Sequence, residues 1–393
     1  HVSDEDDNNA VLAQLTLQGT NFINFVGMHA FFGLDRAVEA VRVTEFGEPQ
    51  AVFGSYLHRY AYPDFWKLHV EQNKRELINW NRGRIFDRKF SGETNPTEEI
   101  RNITQGASGE VRCIQNRGEY LYVAEGKGGF VAYDIANLSN KGVSERIVKS
   151  PFSALGHDAQ VKTANATCMA IATTQSVSVP RNDKIVGEQD ARAAGKPLAD
   201  PLAGYNQEQK MHEIYRYAVV TDAVEGLVLV NVDTLTDGEP RNNFLKRTVL
   251  EGGKTAWNPD GVLNGARHIT LAGYMAYITT PRGVVVVNLD NPKAPKLAAA
   301  LPLNDARASA VQFRYLWVTT AAGLEVFDIA DLSRPVHHPE ATLPIADARK
   351  FYLARTYAYV AAKGEGLVIV DIKKPLAPKL YQRFTANGTL NDA

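Results

Sequence analysis

The stretch Gly366-Leu367-Val-Ile-Val-Asp371-Ile372, with Pro375 three residues on, decides the fold. A run of β-branched and aliphatic residues this short suits a strand buried on both faces. The preceding glycine marks a turn that needs positive φ, and the aspartate opens the next turn through its side chain. The proline then keeps the following loop out of the sheet. Working outward, the pattern recurs at Gly323-Leu-Glu-Val-Phe-Asp328, Gly283-Val-Val-Val-Val-Asn288, Gly226-Leu-Val-Leu-Val-Asn231 and Gly129-Phe-Val-Ala-Tyr-Asp134. In four of these copies an aromatic residue (Tyr122, Tyr277, Trp317, Tyr359) stands six or seven positions before the glycine. Ten residues before each aromatic stands an arginine: Arg112, Arg267, Arg307 and Arg349.

The last three glycines are spaced by 40 and 43 residues, which is the repeat length of a four-stranded propeller blade. Each copy reads as strand, tight turn, strand, glycine turn, strand, loop, strand. Such a sheet cannot hide two apolar faces alone, but radial stacking of several does so. The copy ending at Asn231 is read as opening at Asp158-Ala-Gln160, with Gln160 in the arginine's place and a long excursion between its first two strands. A divergent sixth copy covers Phe25 to Val43 and continues through Glu48 to Phe53. The expected fold is all-β: a six- or seven-bladed β-propeller of four-stranded antiparallel blades over residues 20–393 as a single domain. Leu390-Asn-Asp-Ala393 repeats Leu303-Asn-Asp-Ala306, the opening of a blade. Either this piece pairs with the N-terminal segment 1–19, where Val11 to Leu17 alternates suitably, and closes the ring, or the natural protein continues past residue 393. We favour the second, and His1 in place of a methionine suggests a processed or trimmed start.

Composition narrows the function. The 43 basic and 44 acidic residues cancel almost fully, which argues against a nucleic-acid partner or a polybasic membrane binder. No run of eighteen apolar residues predicts a membrane span. Insertions fall mainly in the N-terminal half, at about 58–108 (with a predicted amphipathic helix from Asp64 to Ile78), 176–212 and 233–264. Insertions on one side of a repeat array commonly build a binding surface. Trp66, Trp80 and Trp257 are the aromatic anchors such a surface would use, and packing against the propeller's flank is the alternative.

Leu367-Val-Ile-Val-Asp371 spells the signature of LVIVD-repeat proteins, and the other copies are variants of it. Tyr217-Ala-Val-Val-Thr-Asp222, Asn242-Asn-Phe-Leu-Lys-Arg247 and Asn258-Pro-Asp-Gly-Val-Leu-Asn-Gly265 resemble a bacterial branch of that family. The resemblance implies an exported β-propeller, periplasmic or at the cell surface, found beside or fused to multihaem c-type cytochromes. It implies a scaffold or protein-interaction role in electron transfer, more readily than an enzyme. A hydrolase or lyase at the propeller channel, or an adhesion or surface-layer protein, are the alternatives.

The chain itself lacks Cys-x-x-Cys-His, so haem belongs to a fused or partner protein and no cofactor is expected within this chain. The four arginines share one register on the strand nearest a propeller's axis. They either ring the channel and bind an anion or a carboxylate-rich partner, or pair structurally with Asp305 and Asp347, two residues before Arg307 and Arg349. Cys113 and Cys168 are expected as two buried thiols, because inner strands of adjacent blades rarely bring Cβ atoms within bridging distance. His337-His338 is read as a solvated loop, and no metal site is assigned. Asp4-Glu-Asp-Asp7 would hold calcium loosely at best, lacking the glycine and terminal glutamate of an EF-hand loop.

Overall fold

The computed structural model describes residues 22–26, 29–33, 38–43, 49–56, 110–118, 120–134, 148–149, 160–173, 212–236, 245–385 and 389–392. They form six antiparallel sheets in chain order. The first sheet is β1 (Phe22–Val26), β2 (His29–Gly33), β3 (Val38–Val43) and β4 (Pro49–Tyr56). The second is β5 (Cys113–Arg117), β6 (Tyr120–Ala124) and β7 (Phe130–Asp134), with β8 (Val148–Lys149) and β9 (Gln160–Val161) both on β7. The third has three strands, β10 (Ala166–Ile171), β11 (Tyr217–Asp222) and β12 (Gly226–Asn231). The fourth is β13 (His268–Ala272), β14 (Met275–Thr280), β15 (Gly283–Asn288) and β16 (Lys296–Pro302). The fifth is β17 (Ala308–Gln312), β18 (Tyr315–Thr319) and β19 (Gly323–Asp328), whose outer edge carries β20 (Val336–His337) and β21 (Leu343–Pro344). The sixth is β22 (Phe351–Ala354), β23 (Tyr357–Ala361), β24 (Leu367–Asp371) and β25 (Lys379–Phe384).

Sequence order becomes spatial order within each sheet, and the first strands of successive sheets pack side by side: β1 on β5, β5 on β10, β10 on β13, β13 on β17, β17 on β22. This is the radial stacking of a propeller. The four-stranded rule bends in three sheets. In the second and fifth the outer strand is split, its two short halves pairing with opposite ends of β7 and β19. In the third, the segment expected as a free excursion returns to the sheet edge through single bridges, Leu227 with Trp257 and Val230 with Arg247.

The repeated signature residues act as the sequence predicts. Gly283, Gly323 and Gly366 all have positive φ. They also lie so close to the outer strand that an added Cβ would sit 2.0, 2.2 and 2.2 Å from the carbonyl oxygens of Leu301, Leu343 and Phe384. Both the backbone conformation and the close approach exclude a side chain. At the far end of the same strands, Asn231, Asn288, Asp328 and Asp371 each accept a hydrogen bond from the amide two residues on, at 2.8–3.0 Å. The aromatic position is the wedge between neighbouring sheets: Tyr122, Tyr277 and Trp317 are fully buried. Burial pushes the Tyr122 phenol up to about 12, despite Arg117 nearby.

Candidate functional site at the channel mouth

Arg112, Arg267 and Arg307 immediately precede the innermost strand of their sheet, and Arg349 stands two residues before the start of β22. Each amide bonds the carbonyl at the end of the second strand (Ala124, Thr279, Thr319 and Ala361), which fixes one common register. All four side chains therefore line one cavity of about 540 Å³, together with Lys350, His268 and Asp305. A second cavity of about 280 Å³, walled by inner strands, shares His268 and Cys168 with it.

Two of these arginines, Arg267 and Arg307, reach the next sheet. Asp305 takes Arg267 from the preceding sheet and Arg307 from its own. Asp347 takes Arg307 at 3.0 Å, Arg349 at 2.7 Å and Lys363 at 3.3 Å. The guanidiniums of Arg267 and Arg307 also donate to the carbonyls of Ala306 and Ala348 in the sheet beyond. Burial works to raise both aspartates, but the hydrogen bonds and charges of Arg267 and Arg307 on Asp305 outweigh it. Arg349 and Lys363 do the same on Asp347, so both carboxyls lie below their usual range. The structural pairing considered for Asp305 and Asp347 is thus present, on the same arginines that line the cavity.

The third sheet corrects the sequence reading. Gln160 is not its arginine equivalent: it lies in β9, at the outer edge of the second sheet, and donates to the carbonyl of Gly128. The cavity-lining residues of the third sheet are Thr167 and Cys168, seven residues further on. The register is Asn165-Ala-Thr167-Cys168, aligned with Glu110-Val-Arg112-Cys113 and Asp305-Ala-Arg307-Ala308. This places both cysteines at the same height on adjacent inner strands, with Cα atoms 4.8 Å apart. They form a disulfide, contrary to the expectation of two thiols. Inner strands converge toward the axis, and identical register removes the axial offset that would otherwise separate the Cβ atoms. Asn165-Ala-Thr against Asp-Ala-Arg was the signal that could have shown it.

Around the ring the acid position reads Glu110, Asn165, Gly265, Asp305 and Asp347, and Asp392 continues it through the Leu-Asn-Asp repeat. Leu390 bridges Lys363 of the sixth sheet, and Asp392 accepts the Ile23 amide of β1 at 2.8 Å. The acidic series is therefore broken at Asn165 and Gly265. Among the described residues Arg112 pairs with Glu110 of its own sheet alone, at 3.1 Å on the exposed side. The Nε atoms of Arg112 and Arg349 are buried without a hydrogen-bond partner.

Two further residues, not singled out from sequence, complete the mouth. Lys350, next to Arg349, extends to the second sheet, where its amine donates to the Arg112 carbonyl at 2.9 Å. Burial pushes it down to about 8, against the opposing charge of Asp392. His268 is held at about 3 by burial and then by Lys350, so it is a neutral imidazole at physiological pH. Its Nδ1 accepts the Ser309 amide at 3.3 Å.

The remaining sequence candidates lie elsewhere. Trp257 is half-buried and packs against the core beside the third sheet, with its backbone paired to Leu227, so its flank-packing reading fits. His337 belongs to β20 rather than a loop, stacks on Phe327 and meets Glu325 at 2.7 Å; His338 pairs with Glu340. Among the described residues no cluster of three or more His, Cys, Asp or Glu is arranged to hold a metal. No described helix is long and apolar enough to cross a membrane. Trp66, Trp80, Asp4 to Asp7, the segment 58–108 and all of 176–212 except His212 lie outside the described residues.

Comparison with known proteins agrees with this geometry. The LVIVD repeat model matches residues 108–147 and 347–386, the second and sixth sheets. No curated protein matches the chain. Among solved structures, a functionally unknown protein from Desulfotomaculum acetoxidans is similar with a TM-score of 0.54 at 13% identity, over 98% of this chain and 92% of that one. The β-propeller domain of Cps50 (Swd1) from Myceliophteria thermophila is similar with a TM-score of 0.51 at 10% identity, over 96% and 90%. At such identities the likeness speaks for the fold alone. With the signature strands, the stacked sheets and both matches in agreement, the chain is a β-propeller that carries LVIVD repeats.

Proposed function

We propose that this propeller is a non-enzymatic scaffold that docks a protein partner, and that the partner is a multihaem c-type cytochrome outside the cytoplasm. One observation carries the docking reading. The outer strands of three consecutive sheets each leave large apolar side chains exposed: Leu297 on β16, Val336 on β20, Leu380 and Tyr381 on β25. Outer strands are open edges, which unpartnered proteins usually guard with charge, and large apolar side chains left exposed along such edges favour a partner. The export reading draws support from the Cys113–Cys168 disulfide, a bond typical of oxidising compartments. The cytochrome reading rests on family resemblance.

The test is co-purification of the full chain from its native host after fractionation, monitored by haem absorbance. The chain is expected in the exported fraction with a haem protein, and the triple variant Leu297→Glu, Leu380→Glu, Tyr381→Glu should release it. A retained partner without haem would overturn the cytochrome assignment. A chain that retains no protein, or that stays in the cytoplasm, would overturn the docking or the export reading respectively.

A further inference from the structure

The arginine–aspartate series stops where the second and third sheets meet, and what remains there is positive charge facing a cavity. Among the described residues, six cationic side chains lie at the mouth (Arg112, Arg267, Arg307, Arg349, Lys350 and Lys363) with four carboxylates (Glu110, Asp305, Asp347 and Asp392). The imbalance is local. Arg267, Arg307 and Arg349 lie in the continuous part of the series, where Asp305 and Asp347 are shared among them. Arg112 lies at the break, where the next sheet offers Asn165 in place of an aspartate.

Lys350 brings a second cation to the same place, because its amine lies on the Arg112 carbonyl. Nothing in the fold of a propeller requires a lysine there: Ala308 holds the same register in the fifth sheet. The neutral His268 and the hydroxyl of Thr167 add uncharged polar groups to the lining. The cavity, about 540 Å³, has room for a compact ligand bearing several oxygens. A guanidinium offers paired N–H donors that match carboxylate or phosphate edges, and an ammonium adds a point charge beside them.

We propose that the channel mouth is a binding site for a small multivalent oxyanion, a phosphate or a polycarboxylate, held chiefly by Arg112 and Lys350 with Arg349 beside them. The site is independent of the docking rim on the outer strands. The bound oxyanion supplies at the break the negative charge that Asp305 and Asp347 supply elsewhere.

Calorimetric titration of the full chain with orthophosphate and, separately, with citrate tests this. At least one anion is expected to bind saturably, more weakly as salt rises. Binding of phosphate alone identifies a phosphoryl ligand, of citrate alone a polycarboxylate, and of both a site that reads oxyanion charge. Arg112→Gln and Lys350→Met should each weaken binding by about tenfold or more, the loss of one charge-assisted contact. Arg314→Gln, at an exposed pair with Asp328 remote from the mouth, should leave it within about twofold. Should the mouth variants fail to fold, the unaltered protein decides. Lys350 loses its charge as pH rises through about 8, so affinity should fall between about pH 7 and about pH 9.5. Asp392 acts on that amine as an opposing charge, and the neutral His268 lies beside it. No saturable binding of either anion would overturn the proposal. So would mouth variants that bind as Arg314→Gln does, or a pH-independent affinity.

Discussion

Two arcs of the same ring are fastened by different chemistry. From the fourth to the sixth sheet, Arg267, Asp305, Arg307, Asp347 and Arg349 form a continuous ionic series in which each aspartate serves two sheets. Between the second and third sheets the equivalent positions are Asn165 and Thr167, and one residue further inward Cys113 and Cys168 are covalently joined. The register is identical and only the side chains differ. Inner strands near the axis are close enough for either a salt bridge or a disulfide, so the repeat tolerates exchange of one fastening for the other. The covalent arc has Asn165 where the ionic arc has an aspartate, so Arg112 faces the cavity with Glu110 of its own sheet as its ion-pair partner.

The largest effect should come from cutting the covalent arc. Replacing both cysteines by serine opens a loop of 55 residues, and the chain-entropy relation sets the loss near 4 kcal/mol. Denaturant unfolding of the double variant, and of the native chain with and without reductant, measures it. A loss under about 1 kcal/mol would mean that strand packing alone holds this arc.

Breaking the ionic arc should cost less. Asp305→Asn takes the ion-pair partner from Arg267 and leaves Arg307 with Asp347 alone in a partly solvated wall, and about 1–2 kcal/mol is expected, after allowing for exposure. Its pH dependence has a definite sign. Asp305 and Asp347 have lowered carboxyl pKa values in the folded state, so their stabilisation is full above the unfolded carboxylate range and is lost as pH falls through the folded values. Acid titration of stability should therefore be shallower in Asp305→Asn than in the native chain.

A smaller effect should follow from removing the charge at the mouth. Lys350 is a base whose folded pKa is lowered to about 8, so its charged form disfavours folding at neutral pH and the penalty lifts as pH rises from about 8 toward the free-lysine value. Lys350→Met should equal or exceed the native stability near pH 7, with the gap closing at high pH. Smallest of all, Asn165→Asp restores an acid at the break. It should change stability by only about 0.5 kcal/mol, with Asp222 close by as a repulsive neighbour, while competing with oxyanions for Arg112.

Much of this was legible in the repeats because blade structure is local. Gly366, Asp371 and Pro375 report a turn, a side-chain-capped turn and a loop within ten residues, and Arg349 is tied to Tyr359 by a single hairpin. The alignment of the four arginines on one cavity follows from that local register. Legibility failed at the third sheet, where a long insertion hides the first strand and Asp158-Ala-Gln160 imitates a blade opening better than Asn165-Ala-Thr167 does. The disulfide was missed for a geometric reason: inner strands of adjacent blades were expected to hold Cβ atoms beyond bridging distance, and the shared height of Cys113 and Cys168 brings them within it. Lys350 and His268 were missed for another reason: neither belongs to the repeating pattern, so no periodicity marks them.

The amino-acid sequence by itself determined the all-β class, the blade period, the glycine and aspartate turns and the common height of the arginines, because each depends on contacts within one repeat. Only the tertiary structure decided which sheets are fastened by ions and which by sulfur. The half-replacement of an outer strand by the Trp257 segment, and the position of Lys350 over Arg112, were likewise tertiary outcomes. Those depend on how neighbouring sheets meet, through side chains far apart in the chain, and the free energy of such contacts exists only once the ring has brought them together.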